Sequence, residues 1–145
     1  MCIRDSSITE TPTTLEVSEK AEDAFWTSTI LQEWLHEKAL KYLPEYLRDV
    51  SAKLKLPYNK VRIKRQKTLW GSCSNKGNIN LNRNLMLMPS EVVDYVLHHE
   101  LVHLKVLSHS SKFWKELELS FPDYKKIRQQ LKYLGGNKLP EWALV

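Results

Sequence analysis

The sequence predicts an α+β fold for a chain of 145 residues. Apolar residues recur at three- and four-residue steps in the first third, which is the period of a helix packed on one face. A short middle segment alternates apolar and polar residues around a turn, which is typical of strands. Helical periodicity returns in the last third. We therefore expect N-terminal helices, a small antiparallel sheet, a helix that contains several histidines, and C-terminal helices.

Residues 1–20 are polar and lack a helical period, so we interpret them as a flexible tail or the remnant of a truncated segment. A weak strand over residues 14–17 is compatible with the pattern. The domain itself is expected to cover residues 21–145, which is an ordinary size for one folded unit.

The composition indicates where the protein is located and which partners it can bind. The first residues lack the apolar stretch of a secretory signal, and Cys2 and Cys73 are too few for a disulfide framework. A reducing, cytoplasmic location is therefore expected. No apolar run is long enough to span a bilayer, so no membrane partner is expected. The formal net charge of +5 permits weak nucleic-acid contact but does not require it.

The first helix is predicted to begin near Asp23. We expect Pro44 to break or kink it into two consecutive helices, because proline removes a backbone donor and clashes with the preceding turn. Trp26 and Trp34 are expected to pack in the core. The apolar face comprises Ile30, Leu31, Trp34, Leu35, Leu43, Leu47, Val50 and Leu54.

The predicted sheet follows a turn at residues 56–59. Lys60–Lys64 alternates strictly and predicts a half-buried strand whose other face is basic; a solvated face is favoured over phosphate contact. Residues 74–77 predict a hairpin loop between strands at 69–73 and Asn78–Asn82.

Helices are expected again after Pro89. The first contains Val93, Val96, Leu97 and Leu101 at helical spacing. Two shorter helices are predicted at residues 110–119 and 124–134, with the glycines at 135 and 136 ending the last one.

His99, Glu100 and His103 form the most informative motif of the sequence. Two histidines four residues apart lie one turn apart on the same helix face, so both can bind one metal ion. Glu100 is poorly placed as a third ligand but well placed to accept a proton from a metal-bound water, as in the HExxH motif. His98 lies off this face, and Asp94 one turn earlier suggests a solvated pair.

A catalytic zinc usually takes three protein ligands and keeps one open position. His109 is the best third candidate, because the chain could turn back after the helix ends. Val106 stands where the metzincin pattern HExxHxxGxxH has glycine, which argues against that group. Glu116 or Glu118 are alternatives, whereas the isolated His36 and Cys73 are more typical of structural side chains.

Several separate segments resemble the YgjP-like metallopeptidase family, a zincin group related to the SprT-like and WLM proteases. The similarity runs from about residue 24 to 135, with landmarks at residues 42–44, 56–58, 67–74, 77–82, 99–103 and 109–114. The resemblance implies a zincin-like α+β core. It also implies zinc ligands at His99, His103 and His109, with Glu100 as general base.

The sequence departs from the family pattern in three places. Family members usually have an additional β-rich segment before the first helix, and this chain has almost none of it. Ser108 stands where asparagine often precedes the third histidine, and His98 stands where an apolar residue is common. None of these departures removes a predicted ligand.

The leading hypothesis is hydrolysis of a peptide or protein substrate by a zinc-activated water. The strand Asn78–Asn82, if it borders the cleft, could align an extended peptide by strand addition. Asn78, Asn80 and Asn82 are the corresponding substrate-binding candidates. Tyr95, Arg83 and Tyr124 are candidates for stabilising the oxyanion.

Two alternatives remain open at the level of sequence. The basic residues could favour a nucleotide, with the same metal site hydrolysing a phosphoanhydride. The chain could instead be a nucleic-acid-associated module with a structural metal. A structural zinc usually closes with four protein ligands, however, and the sequence offers only three well-placed histidines.

Overall fold

A computed structural model of the chain describes residues 8–10, 15–17, 24–65 and 69–137. The predicted α+β class is confirmed. Within these residues the chain forms four α-helices, a three-stranded mixed sheet and a separate two-stranded sheet.

The two-stranded sheet lies near the amino terminus. Strand β1 (Ile8–Glu10) pairs antiparallel with β2 (Leu15–Val17), so the weak strand expected at residues 14–17 corresponds to β2. Its partner β1 was not predicted. The rest of the segment expected to be a flexible tail lies outside the described residues, and its flexibility stays a prediction.

Helix α1 (Ala24–Leu54) is continuous through Pro44, so the prediction of two consecutive helices is wrong. Ala39 and Leu47, on either side of the proline, are both completely buried. Burial of one apolar face along the whole helix therefore compensates for the single backbone hydrogen bond that Pro44 cannot make. Trp26 is 63% exposed and Trp34 is half-buried, so the expected core position of Trp26 is also wrong.

The three-stranded sheet has the order β3-β5-β4, with β3 at Lys60–Lys64, β4 at Gly71–Cys73 and β5 at Asn78–Asn82. The predicted hairpin between β4 and β5 is confirmed, with Gly77 at φ 80° in its loop. Strand β3, however, runs parallel to β5. The sheet is therefore mixed, and the prediction of a purely antiparallel sheet is wrong. Strand β5 pairs with both other strands and is therefore central, and its Ile79 and Leu81 are fully buried.

A short 3₁₀-helix (Arg83–Leu87) follows β5 and leads into α2 (Ser90–Val102), α3 (Ser111–Ser120) and α4 (Tyr124–Asn137). These α-helices confirm the three predicted for the last third. Helix α4 continues through both glycines that were expected to end it.

Helix α2 is the centre of the core. Its Val92, Leu97 and Leu101 are fully buried, and it packs against α1, β4, α3 and α4. A helix covered on several sides holds its side chains in fixed directions, because interior packing leaves few voids. The last turn of α2, which contains the histidine motif, is thus held rigidly between the sheet and the last two helices.

The helices of the described part of the chain include none that is long and apolar enough to cross a membrane.

Candidate metal centre

Three imidazoles meet at the end of α2. The Nε2 atom of His103 lies 3.0 Å from that of His109 and 3.3 Å from that of His99, and the His99 and His109 Nε2 atoms are 3.1 Å apart. The structure therefore brings together the three histidines predicted from sequence as metal ligands, each pointing the same ring nitrogen at one point.

The local backbone explains this convergence. His99 lies in the last turn of α2, and His103 is its C-cap residue. The chain then reverses through tight turns, with Val106 N donating to the Val102 carbonyl. Val106, which stands where the metzincin pattern has glycine, does not have a positive φ in this reversal. The described residues with a positive φ are Lys55 and Gly77. It returns His109 to the helix end just before α3 begins.

Hydrogen bonds on the far side of two rings orient their Nε2 atoms. His103 Nδ1 lies 3.0 Å from the Val106 carbonyl, which can only accept, so Nδ1 holds the proton and Nε2 of the neutral ring has a free lone pair. His99 Nδ1 lies 3.2 Å from the hydroxyl of Tyr95. Contacts of this kind fix the tautomer and direction of metal-binding histidines.

Two aromatic side chains of helix α3, Phe113 and Trp114, pack against the three imidazole rings. Phe113 is completely buried, stacks on His103 with ring centroids 4.4 Å apart, and contacts the edges of His99 and His109. Trp114 stacks on the His109 ring at 5.8 Å. The otherwise exposed His109 is therefore held by packing rather than by its own helix.

Burial keeps the imidazoles of His99 and His103 neutral. Burial, followed by the charges of His103, His109 and Arg128, lowers the pKa of His99 to about 3. Burial also lowers the pKa of His103, against an opposing hydrogen bond from its Nδ1 to Val106. Neutral imidazole is the form that binds a metal, so His99 and His103 do not have to lose a proton before they bind an ion at neutral pH.

The spacing of the three nitrogens fits a small tetrahedral ion. Zinc–nitrogen bonds of about 2.0–2.1 Å in tetrahedral geometry place the ligand nitrogens about 3.3–3.4 Å apart. The observed separations of 3.0–3.3 Å need only slight expansion. In the described part of the chain, no further His, Cys, Asp or Glu joins this cluster. Such a donor set could hold a metal ion and leave a coordination position open.

The alternative third ligands lie elsewhere. The Glu116 carboxylate is 3.5 Å from the Lys105 ammonium, and Glu118 is exposed on α3. His36 and Cys73 are likewise not in the cluster.

His98 is only 1% exposed, with Nδ1 2.7 Å from the Asp94 backbone carbonyl and its ring against Phe121. The predicted pairing of His98 with Asp94 is confirmed, since His98 Nδ1 lies 3.4 Å from the Asp94 carboxylate, but the expected solvation of His98 is wrong because its ring is buried.

The side chain of Glu100 extends from α2 towards Gly71 of β4. It is 6% exposed, and burial raises the pKa of its carboxyl to about 8. A Cβ atom placed on Gly71 would lie 3.0 Å from both Cγ and Oε2 of Glu100. Gly71 thus makes the room that this carboxylate occupies. No role was predicted for Gly71 from the sequence, although it lies within one of the landmark segments.

The strand-addition hypothesis for β5 is wrong, because β3 and β4 occupy both of its edges. The three asparagine side chains of β5 also have partners within the protein. Asn78 Oδ1 accepts from Asn59, Asn80 Nδ2 donates to the Ser72 hydroxyl, and Asn82 Nδ2 donates to the Leu69 carbonyl. These bonds hold the sheet and its loops together, and substrate binding by Asn78, Asn80 and Asn82 stays an untested prediction.

The three candidates for oxyanion stabilisation are used in other ways. Tyr95 is directed at His99, and Tyr124 stacks on Trp114. Arg83 is buried, and its Nη1 donates to the Gln32 carbonyl on α1. Arg128 of α4 was not predicted from the sequence; its charge adds to the effect of burial in lowering the pKa of His99 and opposes the rise that burial causes in the pKa of Tyr95. No local motif marks it, since only the packing of α4 on α2 brings it near.

Comparisons with known proteins agree with this geometry. The sequence model described as "YgjP-like, metallopeptidase domain" matches residues 4–134. The crystal structure of the metallopeptidase zymogen abylysin of Pyrococcus abyssi is similar, with 32% identity and a TM-score of 0.55, and covers 66% of this chain and 98% of that one.

The crystal structure of the metallopeptidase zymogen jannalysin of Methanocaldococcus jannaschii shares the fold. Its identity is 23%, its TM-score is 0.56, and the match covers 64% of this chain and 96% of that one. No curated protein matches the sequence. With a family match over most of its length and a histidine cluster that could hold a metal, this chain belongs to the YgjP-like metallopeptidase family.

Proposed function

We propose that the protein is a zinc-dependent peptidase whose metal is held by His99, His103 and His109. The observation that carries the proposal is the convergence of three Nε2 atoms within 3.0–3.3 Å of one another. Membership of a metallopeptidase family supports the choice of peptide bonds as substrate.

The chemistry follows from this donor set. When bound, zinc lowers the pKa of a coordinated water towards about 7 and polarises a carbonyl group. The three histidines would hold it, with the Tyr95 hydroxyl behind His99 and the Val106 carbonyl behind His103. The described part of the chain offers three ligands rather than four, which favours a catalytic over a structural site.

Glu100 is the proposed general base. It would take the proton of the attacking water and then deliver it to the nitrogen of the leaving amine. Its burial against Gly71 limits the positions that the carboxylate can adopt. Burial also raises its pKa to about 8, so the protonated carboxyl group can return its proton to the amine, and the positive charge of a bound zinc would favour the carboxylate form that accepts a proton.

Strand β4 is the better candidate for aligning a peptide. Asn82 N donates to the Trp70 carbonyl and Ser74 N donates to the Asn78 carbonyl, so residues 70, 72 and 74 face β5. The backbone groups of Gly71 and Cys73 consequently point to the other edge, which is unpaired within the described residues. An extended substrate added there would lie beside Glu100.

The experiment compares zinc-loaded wild type with Glu100→Gln. A peptide library and the nucleoside triphosphates are offered in parallel, and zinc content is measured in each sample. Glu91→Gln is the matched control, since it removes a carboxylate from the exposed first turn of the same helix. We expect wild type and Glu91→Gln to cleave peptides, and Glu100→Gln to keep zinc but lose about 10²–10⁴-fold in rate.

Two outcomes would replace the proposal. Hydrolysis of nucleoside triphosphates without peptide cleavage would assign the site to phosphoanhydrides. Zinc binding without either activity, together with salt-sensitive DNA binding, would favour a nucleic-acid module with a structural metal.

A further inference from the structure

A basic cleft opens beside the histidine cluster. It has a volume of about 350 Å³ and is lined by side chains of α3 and α4. Trp114 forms the wall between the two features, because its ring stacks on His109 and also borders the cleft. The lining residues are Trp114, Tyr124, Lys125, Arg128, Gln129 and Lys132.

The charge of the cleft has one sign. Lys125, Arg128 and Lys132 follow one another at steps of three and four residues, which places them on one face of α4. Helix α4 contains no acidic residue. All three cations are exposed, and within the described residues none forms an ion pair with a carboxylate. No carboxylate of the described part of the chain therefore neutralises this basic face.

The position of the Arg128 side chain is fixed by aromatic contacts. Its guanidinium lies over the Trp114 ring, 4.9 Å from the ring centroid, and Trp114 in turn stacks on Tyr124. A guanidinium fixed on an aromatic face loses little freedom when it binds, and its planar fork matches a carboxylate in bidentate fashion. Its charge reaches the cluster, as its effects on the pKa values of His99 and Tyr95 indicate.

We propose that this cleft is a specificity subsite that binds a carboxylate of the peptide substrate, with Arg128 as the principal contact and Lys125 and Lys132 flanking it. This inference rests on the proposed peptidase function, because a peptide held at the histidines would place a neighbouring residue beside Trp114. The carboxylate could belong to an aspartate or glutamate side chain or to the carboxyl terminus of the peptide.

A nucleic acid is the less suitable occupant. Single-stranded nucleic acids are bound by stacking their bases on free aromatic faces. Here Trp114 is already engaged by His109, Tyr124 and Arg128. The basic strand β3 lies at the edge of the sheet opposite β4, the strand that contacts α2, so it does not extend the basic cleft into a continuous track.

The test uses binding, so that it does not depend on catalysis. Zinc-loaded Glu100→Gln protein is titrated with fluorescent peptides in which one glutamate or one glutamine is moved along a neutral sequence, each with a free or an amidated carboxyl terminus. We expect glutamate to bind about tenfold tighter than glutamine at one position, or the free terminus about tenfold tighter than the amide. The two arms distinguish the two sources of carboxylate.

The variants assign the effect to the cleft. Arg128→Gln, added to the same background, should reduce the preference to less than about twofold, and Lys132→Gln should reduce it in part. The matched control is Lys126→Gln, which removes an exposed cation of α4 that does not line the cleft and should leave the preference intact. Equal binding of every pair, or a preference that survives Arg128→Gln, would overturn the subsite.

Cleavage of the same peptides by wild type separates this inference from the proposed function. Cleavage without any preference for a carboxylate, together with equal binding, would remove the subsite but keep the peptidase. A carboxylate preference in binding with no cleavage would keep the subsite but remove the proposed peptidase activity. Arg128-dependent binding of a single-stranded oligonucleotide, with no carboxylate preference among peptides, would identify the cleft as a nucleic-acid contact and overturn the proposal.

Discussion

The Nε2 atoms of His103 and His109 lie 3.0 Å apart, although one residue ends α2 and the other lies in the loop before α3. The reversal between them is held by the contact of His103 Nδ1 with the Val106 carbonyl. Packing on Phe113 and Trp114 then fixes both rings. The candidate metal centre is thus a product of the helix end and of α3 together.

His109→Ala should weaken zinc binding by at least about a hundredfold, because two of the three ligands cannot hold the ion as the complete set does. His36→Ala is the control, since it removes a histidine of α1 outside the cluster. Competition with a zinc-binding dye measures both affinities. Unchanged affinity in His109→Ala would exclude His109 as a ligand.

Tyr95→Phe should lower zinc affinity by about tenfold or more while leaving the fold intact. The tyrosine hydroxyl lies 3.2 Å from His99 Nδ1, and partners of this kind fix the orientation of ligating imidazoles. Burial raises the pKa of Tyr95 to about 12, so the neutral hydroxyl is present at ordinary pH. Tyr42→Phe on the exposed face of α1 should leave the affinity unchanged.

Gly71→Ala should reduce peptide cleavage by about tenfold or more without loss of zinc. The added methyl group would lie 3.0 Å from the Glu100 side chain and 3.3 Å from the Asn80 carbonyl, so the carboxylate has to move. Displacement of a catalytic group by even about 1 Å is costly to the rate.

Gly77→Ala provides the contrast for this variant. Gly77 has φ 80°, and a Cβ there would meet its nearest neighbour at 3.5 Å, so the cost is backbone strain rather than a clash. We expect Gly77→Ala to lower the melting temperature with activity per folded molecule retained. A Gly71→Ala enzyme with full activity would contradict the position assigned to Glu100.

The Cys73 thiol should react slowly with iodoacetamide. Burial, and secondarily the Glu100 carboxylate, raises its pKa from 9.0 to about 11, so very little thiolate exists at pH 8. In metal-free protein carrying Cys2→Ser, alkylation should be at least about tenfold slower than for a small thiol, and should accelerate as the pH approaches 11. Alkylation at the rate of an ordinary thiol would show that Cys73 is not shielded as described.

The sequence was most informative where function depends on local spacing. His99 and His103 share a helix face by the period of the helix alone, and His109 followed from the need to turn back soon after the helix end. The hairpin between β4 and β5 was likewise indicated by its loop residues. Each of these features is determined within about ten residues.

Features that depend on distant packing were not predicted. The parallel pairing of β3 with β5 and the continuity of α1 through Pro44 depend on core burial across the whole domain. The burial of His98 against Phe121, and the approach of Arg128 to His99, depend on how the last helices pack on α2. Periodicity in one segment contains no information on such contacts.

X-ray absorption at the zinc edge of the zinc-loaded wild-type protein measures directly whether His99, His103 and His109 bind the ion. We expect three imidazole nitrogens at about 2.0–2.1 Å with one further light atom, and one imidazole fewer in His109→Ala. A sulfur neighbour at about 2.3 Å, or fewer than three imidazoles in the wild type, would contradict it.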